Sequence, residues 1–583
     1  MIHSHRYLFT LAFTILLSAT ITGLTHAQEK TKPAPDKEEI EALREKAFKL
    51  LDNVAGQLTT LQSVENRARM GANIVDSLWK HDEERARSLL RVVQEDIRTE
   101  LQKRDSESRY DGRFEVFLKL RHDTIERIAK YDGQAAYDFL KVTEPAFENQ
   151  EPYDFRENEQ NLELKLAKQI AANNPDVALK LGRQSLRQSL NSDVLKVLSK
   201  LNRKHKEQAQ ILYKEIVEKL PDADFVDAWN VREFTMTLVQ TYEPPDVDES
   251  TYRQLIGLLV GTALEKGCTK KPSGEEEDEG ADFCQWVATV LFKAEKYDSR
   301  ISRIKHWSTG EVESWRFTNV FEEAQELLEE RAYEQIDALA RKYPQMLTGV
   351  YEQAIFQALV AGDFAEARKM IDRFPGDDPG KRKLLLASLE QFQKTVTIDD
   401  QVLAEIQGRA EVISESRARV LFLLATGTEL VRMDSKAALK FVDQAGEVIN
   451  TMKPGKDQTL ARLLLAMAYC QLKSDRGFTI MESLVPKLNE LIDIAVKLDG
   501  YDTSYLRDGE WNMSANGSVG EILTRLSERA GDFAWSDFDR AVSLASQFER
   551  PEIRLMAHLK LAQGILAGPP KPLPSFMRYS EYR

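Results

Sequence analysis

Between Tyr501 and Asn516 the chain gathers Tyr501, Asp502, Tyr505, Arg507, Asp508, Glu510, Trp511 and Asn512. Aromatic faces beside carboxylates and amides are the materials of a sugar- or peptide-binding cleft. Asp508 and Glu510 would imitate a glycosidase pair if the backbone turned them toward a shared gap of about 5 to 9 Å. The same residues suit a plainer use, because long loops pin themselves down with Tyr and Trp and use Asp and Asn as caps. A second stretch, with Trp307, Glu311, Glu313 and Trp315, carries the same ambiguity, since Trp315 equally opens the apolar face of the next helix.

Other chemistry finds little support. The HExxH, GxSxG and GxxxxGK patterns are absent. His81, His122, His205 and His558 fall within helical patterns or at their starts, where capping and packing account for them. PDVDES at 245 to 250 and EEEDE at 275 to 279 cluster oxygen ligands, but neither fits a twelve-residue calcium loop. The Gly pair in NGSVGE, 516 to 521, has no Lys to complete a phosphate site. Of the three cysteines, Cys268 and Cys284 bracket a polar acidic loop and are expected to form a disulfide, whereas Cys470 lies in an apolar helical run and reads as core. No CxxC pair or Cys/His cluster suggests zinc, and no cofactor or metal is expected.

The elements that must position these residues are announced by a recurring phrase: Asp, Ala four residues on, and a large apolar residue three beyond. It occurs at Asp82/Ala86/Leu89, Asp132/Ala136/Phe139, Asp363/Ala367/Met370, Asp434/Ala438/Phe441 and Asp537/Ala541/Leu544, with relaxed copies at Asn174/Ala178/Leu181 and His205/Ala209/Leu212. The Asp suits a helix N-cap, and Ala and its partner share one helical face. Each copy therefore marks the second helix of a hairpin. From Glu38 to Ala567 helix formers dominate and apolar residues recur at three and four, so the expectation is an all-α, irregular α-solenoid of stacked antiparallel helical hairpins. Spacing between copies is uneven, which places insertions at 143–158, 242–250, the acidic loop between Cys268 and Cys284, 305–317, 374–381 and 497–520. Arg-Ala-Arg at 67–69 and 417–419 opens two first helices, with guanidinium groups expected to pair with Asp or Glu.

At Tyr351 to Pro379 the chain resembles a tetratricopeptide repeat: Gly362-Asp363-Phe364-Ala365-Glu366-Ala367 matches that family's inter-helix turn, and Pro379 falls twelve residues after Ala367, where the family places its terminating Pro. The resemblance covers about 30 residues. It implies right-handed stacking of hairpins and a concave peptide- or protein-binding surface, and no catalytic residue.

The ends bound the rest. Arg6, the apolar run from Leu8 to Ala19 and Thr25-His26-Ala27 read as a signal peptide over residues 1–27. A flexible linker at 28–38, an N-terminal array at 39–318, a C-terminal array at 319–567 and a Pro-rich tail at 568–583 are expected to follow. Without the signal, 79 basic face 94 acidic residues, a net charge of −15. No dense basic face exists for nucleic acid, and no membrane insertion is expected after signal cleavage. The chain thus reads as an exported, periplasmic or extracellular scaffold for an unidentified protein or peptide. Its candidate binding residues are Tyr501, Tyr505, Asp508, Glu510, Trp511, Asn512, Trp307 and Trp315. Two alternatives stand beside it: a glycan-acting enzyme whose helices curl into a toroid with the 501–516 loop at its mouth, and a structural envelope component.

Overall fold

The computed structural model describes residues 37–103, 112–145, 153–223, 228–269, 281–308, 324–325, 327–328, 331–361, 363–374, 379–393, 400–431, 434–501, 503–515 and 517–569. The expected signal peptide, most of the linker, the 318/319 boundary and the tail beyond residue 569 lie outside the described residues. Among the described residues are 25 α-helices and one two-stranded hairpin, and the fold is helical-repeat.

The recurring phrase builds the turn between paired helices. Asp82, Asp132, Asp363, Asp434 and Asp537 each accept a backbone N–H two or three residues ahead, at 2.9 to 3.2 Å. The N–H of the same residue closes the last turn of the preceding helix: Asp82 on Leu78, Asp132 on Ile128, Asp434 on Leu430 and Asp537 on Phe533, at 2.8 to 3.0 Å. One residue thus ends one helix and caps the next. The Ala that follows is buried in every copy, from Ala86 and Ala136 at 0 % exposure to Ala541 at 2 %. A methyl there lets the helices approach, and Phe139, Met370, Phe441 and Leu544 fill the space one turn on.

In the relaxed copies Asn174 and His205 keep the backbone closure, on Ile170 and Leu201, without a side-chain cap. One copy escapes the sequence pattern. Lys473 closes on Tyr469, and Gly477 stands where Ala is usual, because an added Cβ would lie 2.4 Å from Cys470 Sγ and 2.6 Å from the Ala466 carbonyl.

The chain divides into two compact units, Met1–Asp96 with Ile355–Arg583, and Ile97–Ala354. In the first, hairpins Ser416–Leu430/Ser435–Thr451 and Lys456–Leu472/Ser474–Lys497 pack in succession over Val420, Leu423, Phe441, Val442, Ala461 and Leu465. The stretch 518–536 forms two helices, Ser518–Glu528 and Ala530–Ser536, broken at Arg529. Beyond the break Gly531 meets Gly564 so closely that a Cβ on Gly564 would lie 2.3 Å from the Gly531 Cα.

Among the described residues the last helix, Pro551–Leu566, takes as a main neighbour the first one, Lys37–Gln57. Ala47, Leu51 and Val54 are fully buried on that first helix, and Ile553, Leu559, Ala562 and Ile565 are buried on the last. Lys46 pairs with Asp539, and Gln563 donates to the Asn73 carbonyl at 3.3 Å and to Ser77 Oγ at 3.1 Å. The first and last described helices thereby share one core.

The second unit repeats the hairpin theme in Arg113–Ala129/Gly133–Val142, Tyr153–Ile170/Pro175–Gln188 and Asp193–Lys204/Lys206–Lys219. Arg121, 2 % exposed, is held by Glu159 at 2.6 and 2.8 Å, by Thr143 Oγ1 and by the Leu140 carbonyl. The expected Cys268–Cys284 disulfide is present, with Cα atoms 5.3 Å apart, and ties the end of helix Glu249–Glu265 to helix Ala281–Val290.

Candidate functional site

Glu249–Glu265 also shows how a candidate ligand cluster is used: Asp248 of the PDVDES segment caps this helix through Thr251 N–H at 2.8 Å and Thr251 Oγ1 at 2.9 Å. Asp-Gly decides the geometry of the 497–520 segment. Asp508 (φ 53°) and Gly509 (φ 79°) both take left-handed backbone, the requirement of a two-residue type I′ turn. Around them Leu506–Arg507 pairs antiparallel with Glu510–Trp511, Arg507 opposite Glu510 and Leu506 opposite Trp511. The base of the hairpin is closed by Asp499, whose Oδ1 accepts the N–H groups of Tyr505 and Leu506 at 2.6 and 2.9 Å, and by Asn512 N–H on the Tyr505 carbonyl at 2.8 Å.

Residues from the first hairpin of the chain engage this one. Glu510 accepts Gln62 N–H at 2.7 Å, Ser63 N–H at 3.2 Å and Asn66 Nδ2 at 3.2 Å, capping helix Val64–Leu78 from more than 440 residues away. Asn66 Nδ2 also donates to the Trp511 carbonyl at 2.9 Å. Glu65, 1 % exposed, binds Arg507, Arg69 at 2.8 Å and Ser514 Oγ at 2.9 Å. Burial alone would raise the Glu65 pKa, but Arg69, Arg507 and Ser514 outweigh it and hold the carboxyl below its ordinary value. On the other side Glu552 accepts Trp511 N–H at 2.7 Å and Arg550 Nε at 2.6 Å, while Arg550 donates to the Gly509 carbonyl at 3.0 Å.

The candidate residues therefore take different places. Tyr505 and Trp511 are buried at 5 and 2 % exposure and stack 5.4 Å apart. Asn512 is buried and folds back on Ser514, accepting its N–H at 2.9 Å and its Oγ at 2.7 Å. Glu510 is half-buried over three donors, Asp508 is exposed in the turn, and Tyr501 is 88 % exposed. Trp307 is half-buried in the other unit and donates from Nε1 to the Cys268 carbonyl at 2.7 Å. Trp315, Glu311, Glu313, Asp502 and Asn516 lie outside the described residues.

Asp508 and Glu510 are thus brought onto neighbouring positions of one hairpin, with Glu510 aimed at amides rather than into a gap. Glu65, Asn66 and Glu552 have no local signal in the sequence. Their only hint is a polar residue on a buried helical phase.

A separate feature of this unit is an apolar cavity of about 500 Å³ including its open mouth, walled by Met481, Leu523, Phe533, Leu544, Phe548 and Met556 among others. Its lining offers hydrocarbon and one Ser hydroxyl, Ser527, which already donates to the Leu523 carbonyl at 2.8 Å, so it has no group to orient a reacting ligand. Among the described residues no cluster of three or more His, Cys, Asp or Glu could hold a metal ion, and no helix is long and apolar enough to cross a membrane.

No family model matches the chain, so the tetratricopeptide resemblance stays a local one, and no curated protein matches it. Among solved structures the chain is matched to a "circular tandem repeat protein with novel repeat topology and enhanced subunit contact surfaces", at 11% identity over 94% of this chain and 100% of that one, with a TM-score of 0.14. A score so low carries no argument about fold or function.

Proposed function

We propose that the protein is a non-enzymatic helical scaffold that binds another protein or peptide outside the cytoplasm. The observation that carries this reading is the engagement of Glu510: a glycosidase acid or nucleophile needs a carboxyl free to meet substrate, and this one accepts Gln62 N–H, Ser63 N–H and Asn66 Nδ2. The aromatic platform such an enzyme would use, Tyr505 with Trp511, is buried beneath the hairpin. A repeat fold of capped hairpins instead offers rigid surface on which a few exposed side chains anchor a partner. The Cys268–Cys284 bond supports an oxidising compartment.

The test is capture from an envelope extract with the full chain, followed by titration of whatever binds. A saturable protein or peptide partner is expected, together with no hydrolysis of cell-wall glycan. Glycan cleavage that disappears in Asp508→Asn or Glu510→Gln would replace this reading with the enzyme, and the absence of any saturable partner would favour a structural envelope component.

A further inference from the structure

The outer side of helix Ser474–Lys497 ends in Ile494, Leu498 and Tyr501, which are 51, 49 and 88 % exposed. The spacing of four sets Ile494 and Leu498 on one helical face. Tyr501 N–H donates to the Leu498 carbonyl at 3.0 Å, so the chain turns once more beyond the helix before leaving it. Large apolar side chains exposed next to one another, rather than scattered singly, are candidates for a contact on a soluble protein.

The charges beside this patch are Lys487, Glu490, Asp493 and Lys497, two of each sign, and among the described residues none of the four has an ion-pair partner. Farther up the same helix the carboxylates are engaged: Asp475 and Glu482 both bind Arg540, at 2.9 and 2.8 Å. A cationic partner would meet Lys487 and Lys497, and an anionic one Glu490 and Asp493. The same face turned end for end sets one carboxylate, Glu490, against one ammonium, Lys497.

We infer that this face pairs with its equivalent on a second copy of the chain, forming an antiparallel dimer about a twofold axis. An axis crossing the helix between Asp493 and Ile494 sets Glu490 opposite the partner's Lys497 and Lys487 within reach of the partner's Tyr501 ring, while the two Ile494 side chains meet at the centre. The buried area falls below the roughly 800 Å² per partner of a stable complex, so the dimer is weak and forms at concentrations on the order of tens of micromolar. This inference concerns a second copy and does not depend on the partner-binding reading above.

Sedimentation velocity on the full chain, from about 1 to about 300 μM, tests it. The expected result is a rise in mass toward twice that of the monomer. Tyr501→Ala and Leu498→Ser each weaken the association by about tenfold, the scale of one lost interface anchor. Glu490→Lys weakens it by a similar factor, and adding Lys497→Glu to Glu490→Lys restores it to within about threefold, since the pair is re-formed with signs reversed. All these positions are exposed, so an unchanged far-ultraviolet circular dichroism spectrum and melting profile accompanies each variant. A wild-type chain that stays monomeric throughout, or a charge reversal on Glu490 that the second reversal does not repair, overturns the inference.

Discussion

Arg507→Met tests whether the hairpin fastens helix Val64–Leu78 to the C-terminal part of its unit. Arg507 binds Glu65, and the side chains are 17 and 1 % exposed, so the contact is largely withdrawn from water. Removing one partner of a buried pair costs about 3 to 5 kcal/mol, and the lower end applies because Glu65 keeps Arg69 and Ser514. With a urea slope of roughly 3 kcal/mol/M, a loss of about 3 kcal/mol moves the unfolding midpoint down by about 1 M.

The reading is tryptophan fluorescence, to which Trp511 contributes from beneath the hairpin. Glu65→Met combined with Arg507→Met should be milder than the sum of the single changes by about 2 kcal/mol, because no charge is then left buried opposite its missing partner. A midpoint within about 0.2 M of wild type for Arg507→Met, or a coupling below about 0.5 kcal/mol, would refute the fastening.

The remaining predictions concern titration, capping and close contacts. Glu65 has a folded pKa below its ordinary 4.5, so its contribution is present above that value and lost as pH falls through the lower one; the destabilisation by Arg507→Met should shrink as an acid titration proceeds below 4.5. Glu163 in the other unit behaves oppositely: burial raises its carboxyl against the Lys141 ammonium, so its contribution is present below 4.5 and lost as pH rises through the raised value. Glu163→Gln should therefore raise the melting temperature of that unit at neutral pH more than at pH 4.

Asp132→Ala and Asp434→Ala should each cost about 1 kcal/mol by chemical denaturation, the worth of a lost N-cap. Gly477→Ala, which places a Cβ against Cys470 and the Ala466 backbone, should cost about 1 to 3 kcal/mol, whereas Ala at Gly408, with open space around it, should not destabilise.

The helices were legible in the chain because their signals are local. An Asp with Ala four residues on specifies a cap and a small buried face within one turn, and that suffices to place turns at Asp132, Asp434 and Asp537 without knowing what packs outside them. Pro551, in the first turn of helix Pro551–Leu566, is a local signal of the same kind. Gly477 was not legible, because its identity answers a contact with Cys470 rather than a propensity of its own segment.

The hairpin at 506–511 was half legible. Asp508-Gly509 is a turn signal that depends on backbone conformation alone, yet two carboxylates spaced by two read just as readily as chemistry. Which description applies turns on what faces Glu510, and Gln62, Ser63 and Asn66 stand at the opposite end of the sequence. The sequence by itself therefore determined the helical class, the repeating turn and the disulfide spacing, all consequences of neighbours a few residues apart or of one loop. Tertiary structure alone decided that Lys37–Gln57 shares a core with Pro551–Leu566 and that Glu510 is engaged while Tyr501 is open to solvent, because burial and hydrogen-bond partners are set by segments that only folding brings together.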